Sequence, residues 1–75
     1  MRTPEALELF EKMLELFRFD VQADLHLTAY GATQNPEELL SYTECTRLAD
    51  AAALRVGTLL ALEAEHRLEN ENGAL

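Results

Sequence analysis

Basic residues are scarce in this chain of 75 residues: six Lys and Arg stand against fourteen Asp and Glu, for a formal charge of −8. That balance opposes binding to phosphate backbones and to anionic membrane surfaces. There is one cysteine, Cys45, which excludes an intramolecular disulfide and gives no argument for an oxidising compartment. No apolar run approaches the roughly 20 residues that span a bilayer. Met1-Arg2-Thr3-Pro4-Glu5 leads into an acidic amphipathic stretch and not into the apolar core of a signal peptide. These absences lead us to expect a cytoplasmic, soluble protein with neither nucleic acid nor membrane as partner. Glycine-rich phosphate loops and zinc-type Cys/His clusters are missing too. Cys45 falls on an apolar stripe, and His26 and His66 lie on different segments with no third member, so no nucleophilic site and no enzyme is expected.

What remains is helical. Between residues 5 and 56 glycine and proline occur only at Gly31 and Pro36. Gly31 can close a helix in the left-handed conformation. Asn35-Pro36-Glu37-Glu38 then reads as a helix start: Asn35 caps, Pro36 takes the first helical position, and two carboxylates meet the positive end of the dipole. Thr3-Pro4-Glu5 repeats that logic at the first helix. The pattern predicts one antiparallel all-α hairpin over 1–75, with helix 1 at about 4–30, a turn at 31–35 and helix 2 at about 36–68. A polar acidic tail over 69–75 is expected to fray. Ser41-Tyr42-Thr43-Glu44-Cys45-Thr46 is a weak point at which helix 2 either continues or breaks, because hydroxyl-bearing and β-branched residues lower helix propensity.

At 100° per residue, Leu7, Phe10, Leu14, Phe17, Val21 and Leu25, with Leu9, Met13, Leu16 and Leu27, occupy about half the circumference of helix 1. A helix with one neighbour needs a stripe nearer 100° wide. Glu8, Glu11, Glu15, Arg18, Gln22 and His26 form the opposite side, with Glu8–Lys12 spaced as an ion pair. Helix 2 offers a stripe of Tyr42, Cys45, Ala49, Ala52, Val56 and Leu59/Leu60, and a ridge of small residues at Ala49, Ala53, Gly57 and Ala61 that permits close approach. Phe10, Leu14, Phe17 and Val21 of helix 1, with Ala49, Ala53, Val56, Gly57 and Leu60 of helix 2, are the expected core or dimer seam. The surplus apolar arc calls for a second hairpin, and a homodimer forming a four-helix bundle is the most economical answer.

Several residues break the pattern. Asp20 and Asp24 lie inside the apolar arc, and the expected partners are Arg47, Arg55 or Thr46 across the seam. Phe19 and Tyr30, with Arg18, Asp24 and Tyr42 nearby, are candidates for a partner-binding patch, since aromatic and Arg side chains carry much of interface energy. Glu63-x-x-His66 has the spacing of ferritin-like dimetal bundles; the plainer reading is a Glu63–Arg67 ion pair one turn apart. The functional expectation is a small acidic module that binds a protein partner as a dimer, without a cofactor. It would be an inhibitor or adaptor acting by occlusion, in the manner of phage- or plasmid-encoded modulators of host proteins. The alternative is a metal-binding bundle built on Glu63 and His66.

Overall fold

The computed structural model describes residues 3–74. Two α-helices account for all of them but Gln34 and Asn35, α1 (Thr3–Thr33) and α2 (Pro36–Ala74), packed against each other as a rod 62 × 17 × 13 Å. Bidentate Arg55–Glu8 and His26–Glu38 contacts at opposite ends set the helices antiparallel. No helix among the described residues is long and apolar enough to cross a membrane.

The turn is tighter than the sequence suggests. Gly31 does not end α1; it is helical, and the chain reverses at Gln34, whose φ of 54° is left-handed. The Gln34 amide donates to the Tyr30 carbonyl at 2.7 Å, which is the single bond of an αL cap. The Thr33 hydroxyl donates to the Ala29 carbonyl at 2.8 Å, a second bond to that acceptor in the last turn of α1. Asn35 caps α2 as expected: its Oδ1 accepts from the Glu37 amide at 3.1 Å, and Pro36 takes the first helical position.

Helix α2 runs unbroken through 41–46. The hydroxyls of Thr43 and Thr46 donate to the carbonyls of Leu39 and Tyr42, one turn back, at 3.0 and 2.9 Å. A threonine bonded in this way is accommodated inside a helix. Helix α2 also continues past Leu68 to Ala74, where a fraying tail was expected; Leu75 lies outside the described residues. The Glu8–Arg55 pairing sets Thr3 opposite about residue 60, so the last turns of α2 project beyond α1. Glu63–Arg67 at 2.9 Å and Asn70···His66 at 3.2 Å staple that overhang along its own surface.

The core is thin. Ala23 of α1 and Cys45, Ala49, Ala52 and Leu59 of α2 are its buried apolar residues, and only Leu59, at 2% exposure, is large. The α2 half of this seam is the stripe anticipated from spacing, with Tyr42 and Val56 half-buried beside it. The α1 half is not. Leu9, Lys12, Glu15, Leu16, Phe19, Ala23 and His26 turn toward α2, while Phe10, Leu14, Phe17 and Val21 turn away. The hairpin therefore closes on a mixed face of α1 that sequence patterning assigned largely to solvent. The reason lies in α2, whose alanines hide few apolar atoms but allow close approach. Charge-assisted ties from Arg55 and Glu38 then reward polar residues on the facing side.

Candidate interaction surface

The consequence of that seam is an exposed apolar stripe along α1. Leu7, Phe10, Leu14, Phe17 and Val21 recur at alternating intervals of three and four, and Met13 and Leu25 flank them. Phe17 is 69% exposed and Phe10 62%. By 100° steps this stripe lies about half a turn from the seam residues. Monomeric proteins rarely leave so much contiguous apolar surface in water. Fully burying a leucine or phenylalanine side chain is worth roughly 1.5–3 kcal/mol, and at 42–69% exposure the hairpin alone leaves about half of that gain unrealised at each position.

The polar residues around it are arranged in two groups. On the seam side, Arg55 donates from Nε and Nη2 to both carboxylate oxygens of Glu8 at 2.6 and 2.7 Å. The hydrogen bonds from Arg55, and then its charge, hold the Glu8 carboxyl below its ordinary pKa against the opposing effect of burial. His26 Nδ1 lies 2.7 Å from Glu38 Oε2, and Lys12 pairs with Glu15 at 3.1 Å where Glu8–Lys12 was expected. Arg47 is held by Glu44 on its own helix, through hydrogen bonds that lower the Glu44 pKa. On the outward side, Glu11, Asp20 and Asp24 are exposed, and among the described residues none has an ion pair. The expected partners of Asp20 and Asp24 are thus engaged elsewhere: Arg55 with Glu8, Arg47 with Glu44, and the Thr46 hydroxyl with the Tyr42 carbonyl. Both carboxylates sit in solvent, so no compensating charge is required.

The partner-binding set does not form one patch. Arg18 lies over the Phe19 ring, its guanidinium carbon 5.2 Å from the centroid, a cation–π contact that ties these two together. Phe19 is half-buried toward α2, Tyr30 stands at the turn, and Tyr42 lies near the level of Gln22, whose Oε1 is 4.0 Å from Cys45 Sγ. Asp24 sits on the outward face, away from all of them. The seam set divides as well. Ala49 and Val56 pack in the hairpin, Phe10, Leu14, Phe17 and Val21 lie on the outward face of α1, and Leu60 is exposed. Ala53 and Gly57 line a shallow groove of about 690 Å³ on the outside of α2 with Asp50, Leu54, Thr58 and Ala61.

Leu7, Met13, Leu25 and Glu11 belong to the outward surface yet were not among the site candidates. The signal that identifies them is the three-four alternation from Leu7 to Val21, a coiled-coil seam within the wider arc. Of the acidic row Glu8, Glu11 and Glu15, two members are already paired, with Arg55 and Lys12. Glu63 is held by Arg67 and His66 contacts Asn70; no three of His, Cys, Asp or Glu come together as a metal site among the described residues. No protein-family model, curated protein or solved structure matches this chain.

Proposed function

We propose that this chain is a small non-enzymatic protein–protein interaction module that acts as a homodimer. It inhibits or adapts a protein partner by occluding part of its surface, as phage and plasmid modulators do to host factors. The observation that carries this reading is the row of exposed apolar side chains on α1 beside a core of little more than alanines. A hairpin built so has substantial burial energy still to gain from another polypeptide. The net charge of −8 favours a partner with a basic surface and speeds encounter with it. Arg18 with Phe19, and Tyr30 and Tyr42 toward the turn end, are the partner contacts of this reading, placed separately along the seam side, with Asp24 apart from them on the outward face.

The test is co-purification from the source cells with quantitative mass spectrometry, comparing wild type with a Tyr30→Ala/Tyr42→Ala variant that retains its helical circular dichroism. A stoichiometric protein captured by wild type, released by raised salt and lost with the variant supports the reading. No stoichiometric protein with wild type, or equal capture by the variant, overturns the partner or its contact residues respectively.

A further inference from the structure

We infer that the outward face of α1 is covered by the same face of a second copy, with the two α1 helices antiparallel. This rests on the homodimer reading above and assigns its face, orientation and charge pairing. Leu7, Phe10, Leu14, Phe17 and Val21 fill alternate a and d positions of a heptad, and Asp24 takes the next d. Seven outward apolar side chains from Leu7 to Leu25 are each between 42% and 69% exposed. At on the order of 100 Å² apiece they offer about 700 Å² per copy, or roughly 1,400 Å² per pair, within the range of stable specific interfaces.

Charge decides the orientation. Glu11 and Arg18 lie on the same edge of this face, one heptad apart, and among the described residues neither has an ion pair within the hairpin. In an antiparallel pairing, like edges meet. Phe10 then layers on Val21 of the second copy, Leu14 on its Phe17, and Glu11 meets its Arg18, with the symmetric contact repeated on the other side of the two-fold axis. Asp24 falls opposite Leu7 at the end of the seam, where its carboxylate reaches water. A parallel pairing instead stacks Asp24 against Asp24 and sets Arg18 beside Met13, which gains no ion pair and adds a repulsion. Because the seam and the outward face are on opposite sides of α1, the assembly is a flat four-helix layer, with the α1 helices central and α2 outermost. A square bundle would need the two faces about a quarter-turn apart. The groove around Gly57 stays on the outside of this layer.

Sedimentation equilibrium on the full chain tests this with four variants: Phe17→Glu, Glu11→Arg, Arg18→Glu and the exchange Glu11→Arg/Arg18→Glu. Wild type is expected to be a dimer at micromolar concentration. Phe17→Glu should raise the dimer Kd by about a hundredfold or more, since it places a carboxylate in the centre of the seam twice. Each single charge reversal should raise Kd by about tenfold and the exchange should restore it. A wild type that is monomeric at hundreds of micromolar overturns the dimer reading as a whole. A Phe17→Glu protein that still dimerises leaves that reading standing and overturns the face. Single reversals with no effect, or an exchange that fails to restore affinity, overturn the antiparallel register.

Discussion

Replacing Gly31 by alanine separates two accounts of how α1 ends. If Gly31 were the left-handed residue that stops the helix, alanine there would cost on the order of 1–2 kcal/mol. In the structure it is an ordinary helical residue, and a Cβ built on it meets nothing within 4 Å. Alanine in a helix interior is worth about 0.5–1 kcal/mol over glycine, mainly because the unfolded chain loses freedom. With no clash to offset it, the whole of that gain should appear. For a domain of this length 1 kcal/mol corresponds to about 4–8 °C in Tm, so Gly31→Ala should raise Tm by about 2–8 °C. The assay is thermal unfolding by circular dichroism at one fixed protein concentration, because self-association makes Tm depend on concentration. The companion change is Gln34→Gly, which relieves the one non-glycine residue at positive φ among those described. Its gain of about 1 kcal/mol is partly cancelled by the greater freedom of the unfolded chain, leaving a few tenths. A fall in Tm for Gly31→Ala would refute this account of the turn and restore Gly31 as the cap.

Other outcomes follow from the thin core, the cap and the interhelical ties. Leu59→Ala removes the one large buried side chain and should cost about 2–5 kcal/mol, read as the shift in urea midpoint; a loss below about 1 kcal/mol would contradict its burial. Asn35→Ala forfeits the 3.1 Å bond to the Glu37 amide and should cost about 1 kcal/mol, whereas Asn35→Asp should retain most of it. Ala52→Leu should destabilise by about 1–3 kcal/mol by overpacking a buried position of the seam, and an increase in stability would show room there for the larger side chain. The folded pKa of Glu8 is depressed, so its contribution is fully present above the ordinary carboxylate range and is lost as pH falls through the folded value. Arg55→Gln should therefore lower stability at neutral pH and flatten the decline on acidification, measured by urea midpoints from neutral to acid; identical pH profiles would remove this tie from the account.

Much of the molecule is legible from residue order. The two helices follow from long stretches free of glycine and proline, and the cap at Asn35 with Pro36 places the start of α2. The buried stripe Cys45, Ala49, Ala52 and Leu59 follows from three- and four-residue spacing. The boundary errors have local causes. Gly31 is a competent cap but also an acceptable helical residue, and the Thr33 hydroxyl with the Gln34 amide closes the helix three residues later. Threonines at 43 and 46 lower propensity in isolation, yet α2 stays continuous with their hydroxyls bonded back to the preceding turn.

The face of α1 that meets α2 was beyond reach of that kind of reading. Periodicity measures how much apolar surface a helix carries and where it lies; it does not say which neighbour takes which part. Residue order alone determined that α1 holds more such surface than one small-residue helix can hide. Tertiary packing decided that α2 takes the mixed side, through Arg55–Glu8 and His26–Glu38, and leaves Phe10, Leu14 and Phe17 facing outward. The physical reason is that alanines gain little by covering phenylalanines, whereas close helix approach and paired charges are available only on the other side.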